Sequence, residues 1–400
     1  MSNYQIPPIW KAFLLVFFIY WSCNSPTGPS ADESFSQIFG GDEYDAGFAA
    51  VQTYDGGYLI GGTTFSRGSG WADFWLLKLD QFGNEQVNRV FGGSDWDRLK
   101  AAQQVSDAGF VLFGYKTVTA ANNTDMWLVK TNSSGILEWQ TTYGGGGDEV
   151  GWDIRETFDG GYIMVGSTES TGAGGTDLWL VRTDYSGTEL WSYTFGGAGY
   201  DAGRAVRQTA DSGFVAAGMT ASTGAGGMDG YLVRTDRAGV KLWSKTYGGS
   251  AEDSLFALQI LPDGGYILAG TTTSSGAGGI DALLIKTDST GGTGGLGWTK
   301  TFGGPAEDII HDVALSDDGG CVLAGTTRPS EVNDLDIWLL KVDQDGEQVW
   351  SREFDGDGAD DWGEAVSATE DGGFIVTGSI WNSEDETRDL WIKKTTPKGR

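Results

Sequence analysis

Carboxylates recur along this sequence at a near-constant interval, and they are the residues whose type and spacing could do chemistry. One series is Asp45, Asp97, Glu149, Asp201, Asp253, Asp308 and Asp361. Gathered at one end of a fold, these oxygens would suit a hard cation such as calcium, or make an electronegative funnel. Two carboxylates at the right separation would also serve as acid and base in glycoside hydrolysis. The competing reading is structural: an Asp that opens a strand can accept hydrogen bonds from the backbone N–H groups of the turn before it. A residue present in every unit is most economically explained by what every unit needs. A second series, Asp73, Asp125, Asp177, Asp229, Asp281, Asp336 and Asp389, is followed five residues later by Lys or Arg. It reads as turn bonds or as ion pairs between neighbouring units.

Residues that break the pattern are better candidates for recognition. They are Trp71, Trp96, Arg98, Trp152, Tyr200, Trp362 and Trp381, with Arg67 beside the first and Trp381 read in an irregular loop from Ile380 to Arg388. Trp and Tyr near carboxylates suit stacking on a sugar or a protein hot spot; the other reading is that they pack between units. His311 is the only histidine, and no Ser-His-Asp set can be argued from it. Of the two cysteines, Cys321 lies in an apolar run (G-C-V-L-A-G-T) and reads as a small buried hydrophobe. Two cysteines make neither a disulfide framework nor a zinc site. Gly-rich runs such as Gly172 to Gly175 precede strands and not helices, so they do not read as phosphate-binding loops. No cofactor is expected, calcium being the one ion the acids would suit.

The elements that must position these residues follow from the repeat. A Phe/Tyr-Gly-Gly step begins at Phe39, Phe91, Tyr143, Phe195, Tyr247 and Phe302, and as Phe-Asp-Gly at Phe354. Successive steps lie 52, 52, 52, 52, 55 and 52 residues apart. Four residues before the step stands Trp139, Trp191, Trp243, Trp298 or Trp350, with Phe35 and Val87 in that place in the first two units. Each unit reads as four short strands. A strand opened by the acid ends in a turn such as Asp263-Gly264-Gly265, where Gly supplies positive φ. An apolar strand, a Gly/Ser/Ala loop, a third strand opening on Asp, an Asp-x-x-Gly turn and a Trp-bearing fourth strand follow. The high Gly content, 65 of 400 residues, with 17 Trp and only 8 Pro, fits many tight turns around an aromatic core.

Four strands per unit at about 50 residues match a β-propeller blade. The seventh unit runs to its third strand and turn at Thr395 to Arg400, and its missing fourth strand is present near the N-terminus as Ser34 to Phe39. The expectation is therefore an all-β, seven-bladed propeller over residues 35–400, closed by that strand completing the last blade. A solenoid has no reason to divide one unit in this way.

Before the propeller, Ala12 to Ser22 is an apolar run after Lys11, ending at Cys23. It is too short to span a bilayer comfortably and fits a signal peptide over 1–22. Cys23 after the run resembles a bacterial lipobox, although Tyr20 and Trp21 depart from its preferred residues. Residues 23–34, with Pro and Gly, read as a flexible tether. The chain is then exported and lipid-anchored in the outer membrane or cell envelope, or alternatively secreted.

The repeat also resembles the bacterial propeller repeats known as SBBP, W-x-x-x-[FY]-G-G-x-x-x-D-x-G-x-A-[VI]-x-x-T-x-D-G-G-[FY]-[IV]-x-x-G-x-T followed by D-x-W-L-x-K-x-D-x-x-G. The fourth unit carries it on Trp191, Phe195, Gly196, Gly197, Asp201, Gly203, Ala205, Val206, Thr209, Asp211, Gly213, Gly218 and Thr220. The resemblance implies an exported or surface protein and assigns no activity. The formal net charge of −29 disfavours nucleic acid and anionic membrane surfaces. The functional expectation is a monomeric, non-enzymatic binding or scaffold module at the cell surface. It would engage a protein or glycan through its loop-rich face and meet the membrane only through the anchor. The alternatives are a carbohydrate-active enzyme using carboxylates near the central channel, and a calcium-stabilised structural disc.

Overall fold

The structure is a computed structural model that describes residues 34–118, 123–329, 334–356, 358–384 and 386–400. Residues 1–33, with the expected signal and Cys23, lie outside them. Seven sheets, each of four antiparallel strands, form a β-propeller, and the described residues contain no helix. The inner strands, one per blade, are Asp45–Gln52, Asp97–Gln104, Glu149–Glu156, Asp201–Gln208, Asp253–Ile260, Asp308–Leu315 and Trp362–Ala368. The repeat spacing thus places every acid at the start of an inner strand, except Asp361, which sits one residue before its own.

Blade seven consists of Trp362–Ala368, Phe374–Asn382, Thr387–Thr395 and the N-terminal strand Phe35–Phe39. The last two pair antiparallel, from Phe35 opposite Lys394 to Phe39 opposite Leu390. A second fastening lies on the inner strands, where Gln52 Oε1 accepts the Glu370 N–H at 2.8 Å. Gln104, Glu156 and Gln208 make the same bond to the preceding blade through Tyr54, Ser106 and Phe158. One expectation is corrected: Ile380 to Arg388 is not an irregular loop, because the second and third strands of blade seven extend their pairing to Asn382 opposite Thr387.

The core lies between blades. The second and third strands are buried along their whole length in blade three, Tyr162–Thr168 and Asp177–Thr183, because both their faces meet neighbours. That is why these strands read as nearly continuous apolar runs while the outer strand alternates. Ile163, Val165, Leu178 and Leu180 of blade three pack with Val206, Phe214, Ala216 and Val233 of blade four. The same contact closes the ring, with Tyr58, Ile60 and Trp75 of blade one against Ile375, Leu390 and Ile392 of blade seven.

The fourth-strand aromatics seal these interfaces at the rim. A Cβ on Gly187, at φ +80°, would lie 2.7 Å from the ring of Trp139 on the preceding blade. The Asp-x-x-Gly turn therefore needs glycine both for its conformation and for the indole that lies against it. Trp191 packs likewise on Phe214 of blade four, with ring centroids 5.7 Å apart.

Six of the seven Lys and Arg of the third strands pair within their own blade, while Lys286 of blade five donates across to the Gln344 carbonyl of blade six at 3.2 Å. The six reach back to the Asp of the preceding Asp-x-Gly turn: Lys78 to Asp55 at 2.5 Å, Lys130 to Asp107 at 2.8 Å, Lys341 to Asp318 at 2.7 Å and Lys394 to Asp371 at 2.7 Å. Arg182 and Arg234 do the same with Asp159 and Asp211.

Candidate functional site

The inner strands carry a bulge at the same place in every blade. Pairing with the second strand skips one residue between Gly47 and Ala49, Leu99 and Ala101, Gly151 and Asp153, and Gly203 and Ala205, then between Leu255 and Ala257, Ile310 and Asp312, and Gly363 and Ala365. A bulge leaves one residue out of the ladder and re-aims its side chain. The skipped residues are Phe48, Lys100, Trp152, Arg204, Phe256, His311 and Glu364, and all seven line a cavity of about 640 Å³ in the central channel.

Their order around the ring sets their contacts. Lys100 Nζ lies 4.1 Å from the centroid of Phe48 and 4.8 Å from that of Trp152. Arg204 Cζ lies 3.5 Å from Trp152 and 5.5 Å from Phe256. Phe256 meets His311 edge to face at 6.0 Å, and His311 Nδ1 is 3.2 Å from Glu364 Oε2. Cations thus lie on aromatic faces through half the ring, and the remaining charge is a carboxylate on imidazole.

A second tier lies toward the Asp-Gly-Gly turns. Asp153 accepts hydrogen bonds from Arg207 at 2.7 Å and from the Val206 N–H at 3.0 Å. Asp312 accepts the N–H groups of Val366 at 3.0 Å and Val313 at 2.8 Å. Both stand where other blades have Ala, and both bond the backbone of the following blade. The cavity lining therefore holds four cationic side chains, Lys100, Arg155, Arg204 and Arg207, and three carboxylates, Asp153, Asp312 and Glu364.

Burial dominates the electrostatics. It pushes Lys100 down to about 8, with Arg204 and Arg98 adding repulsion and Glu364 opposing. It also lowers Arg204 and Arg207 to about 10. For Glu364 burial works upward, but His311, Lys100 and Arg204 outweigh it and the net shift is down. Asp312 is raised by burial against its two N–H bonds.

The seven acids that open or precede the inner strands do not reach this cavity. They turn into the blades and cap the step before them. Asp97, Glu149, Asp201, Asp253, Asp308 and Asp361 each accept a glycine N–H, at 2.8, 2.8, 2.9, 2.8, 2.7 and 2.6 Å. Asp45 instead takes the Ser66 hydroxyl at 2.7 Å. Among the described residues no three acid, His or Cys side chains are grouped as metal ligands. Cys321 is buried, and burial raises its thiol to about 12.

The pattern-breaking aromatics divide between two places. Trp152 is a bulge residue inside the channel, and Trp362 stacks on His311 with centroids 6.4 Å apart at 9°. Trp381 is half-buried in a strand, and its backbone N–H donates to Asp361 at 2.6 Å. Tyr200 is 40% exposed.

Trp71 and Trp96 come together on the loop face. Their rings stack with centroids 5.8 Å apart at 4°, and Trp71 is 64% exposed. The Ala72–Trp96 bridge and the Asp97 N–H to Ala72 O bond, 2.7 Å, hold the loop of blade one against the start of blade two. Phe65 meets Trp96 at 5.5 Å and Tyr44 at 5.4 Å, and the Arg98 guanidinium lies 4.9 Å from the Trp96 ring.

Reading the sequence alone missed Phe48, Lys100, Arg204, Phe256 and Glu364 as site residues, and left His311 without a role. The signal was present as a variable column: aligned unit on unit, the third residue after each acid differs in chemistry while its neighbours, Asp153 and Asp312 apart, stay small or apolar.

The fold defines the chain as a seven-bladed β-propeller. No family model matches its sequence, and no curated protein does. Among solved structures it is similar to the Pan2 WD40 domain of Neurospora crassa, with 10% identity and a TM-score of 0.50, over 87% of this chain and 89% of that one. It is also similar to Sqt1 from Chaetomium thermophilum, at 12% identity and TM-score 0.47 over 90% and 98% of the two chains. A glucose dehydrogenase matches at 12% identity and TM-score 0.43 over 90% and 99%. At such identities the likeness is one of architecture.

Proposed function

We propose that this chain is a non-enzymatic binding propeller, held at the bacterial envelope by a lipid on Cys23, that engages a glycan or protein through its loop face. The observation that carries the reading is the open Trp71–Trp96 pair with Arg98 beside it. Two parallel, stacked indoles, one of them mostly uncovered, offer an apolar surface next to a cation, the composition of sugar-stacking sites and of protein hot spots. The Arg98 side chain makes no hydrogen bond or ion pair among the described residues and rests on the Phe65 and Trp96 rings, so its donors are free for a partner. The SBBP-like repeat and the apolar run before Cys23 favour a surface location. The calcium-disc alternative has less support because the acids it would use are committed to turns, and the carbohydrate-active one because the channel carboxylates Glu364, Asp153 and Asp312 are bonded to His311, to Arg207 and to backbone N–H groups.

The test is a glycan-array and envelope-fraction binding assay on the exported chain, with fatty-acid labelling in parallel. Trp71→Ala is expected to weaken binding at least about tenfold with an unchanged melting temperature. Cys23→Ser is expected to abolish label incorporation. Equal binding by wild type and Trp71→Ala would refute the platform, and label retained in Cys23→Ser would refute the anchor.

A further inference from the structure

The structure points to a second, separate site: we propose that the channel cavity binds a small organic carboxylate between Lys100 and Arg204. The argument begins with how this protein treats its other interior cations. Lys78, Lys130, Arg182, Arg234, Lys341 and Lys394 are all buried, and all are paired with a turn Asp. Arg207 is paired with Asp153. Lys100 and Arg204, both facing the cavity, make no hydrogen bond or ion pair among the described residues, and Arg204 Nε is buried without a partner. They rest only on aromatic faces. Holding two like charges beside one another, deep in a disc and unpaired, is unfavourable unless a counter-charge arrives.

The carboxylates already in the channel supply only part of it, and none bonds to either cation. Glu364 is bonded to His311, Asp153 to Arg207 and a backbone N–H, and Asp312 to two backbone N–H groups. Glu364 does lower the net charge that Lys100 and Arg204 present, to about one unit, which matches a carboxylate better than a phosphoryl group carrying about −1.5 to −2. The rest of the lining favours an organic body over a bare ion: Phe48, Trp152 and Phe256 from the bulges, with small apolar residues such as Ala101 and Ala205 behind them. At about 640 Å³ the cavity falls within the size range of small-molecule sites. Arg204 can offer a planar fork of two N–H groups to a carboxylate, and Lys100 a compact second charge. This site lies inside the ring and is independent of the loop-face platform.

The experiment is calorimetric titration of the full chain with D-glucuronate, D-gluconate, benzoate, D-glucose and inorganic phosphate. At least one of the three carboxylates is expected to bind with a dissociation constant of about 1 mM or tighter, and glucose and phosphate at least about tenfold more weakly. Arg204→Gln and Lys100→Met are each expected to lose at least about tenfold in affinity, and Arg204→Lys to lose less than Arg204→Gln. Lys100→Met supplies a readout that a structural role would not give: its melting temperature should equal or exceed wild type, because removing an unpaired cation strands no partner. Failure of all three carboxylates, phosphate binding as tightly as they do, or full affinity in both Arg204→Gln and Lys100→Met would overturn the proposal.

Discussion

At the scale of single residues, what distinguishes this propeller is where it leaves charge unneutralised. Lys100 is lowered to about 8 by burial, with Arg204 and Arg98 adding to the effect. In the unfolded chain its ammonium regains the ordinary value near 10.4. Between those two values the unfolded state holds a proton that the folded state has lost, so this group makes stability rise with pH across that window. Below about pH 8 both states are protonated and the penalty is constant. Chemical denaturation of wild type and Lys100→Met at about pH 7 and pH 10 checks this. The variant is expected to lead at the lower pH, by on the order of 1–2 kcal/mol after allowing for solvent in the channel, and the gap to narrow at the higher. A gap that does not change with pH would show that Lys100 is not held in this environment. The turn-capping acids, by contrast, were legible from sequence, because a bond from a carboxylate to a turn N–H is local. The cavity charges were not, because nothing local reveals which residue of a strand is skipped.

At the scale of elements, the blade is completed by its neighbour. The Trp column marked packing in the sequence, but its partner, a glycine turn about 50 residues further on, becomes visible only when adjacent sheets are placed face to face. Trp191 is half-buried, between Phe214 and the Gly239 turn of blade four. Trp191→Ala is accordingly expected to cost about 2–3 kcal/mol in chemical denaturation, less than truncating a fully buried indole. A loss under about 1 kcal/mol would mean that the rim contact contributes little to joining blades. The Asp-x-x-Gly hairpin was read correctly for the same reason as the caps. The extension of the blade-seven hairpin to Asn382 was missed, because its sequence (I-W-N-S-E-D-E-T-R) carries no alternation strong enough to separate strand from loop.

At the scale of the whole molecule, closure depends on five residues. Phe35–Phe39 supplies the outer edge of blade seven, and Phe35 and Phe39 pack into the interface between blades seven and one. Deleting residues 34–39 uncovers one edge of Thr387–Thr395, whose other edge stays paired with Phe374–Asn382. The shortened chain is expected to self-associate with rising concentration in sedimentation velocity and to melt at least about 5 °C lower. A monomer with unchanged melting would show that the ring holds without its clasp. The blade count and the closing strand were the most legible features of all, since seven repeats average out the ambiguity that any one strand carries. The seven bulges have a consequence for how such a chain can change. Each presents one side chain to the channel from a backbone position that the repeat fixes independently of that side chain. The lining can therefore be respelled one codon at a time without disturbing the interfaces, so that a library randomised only at these seven positions would sample many recognition specificities on a single unaltered scaffold.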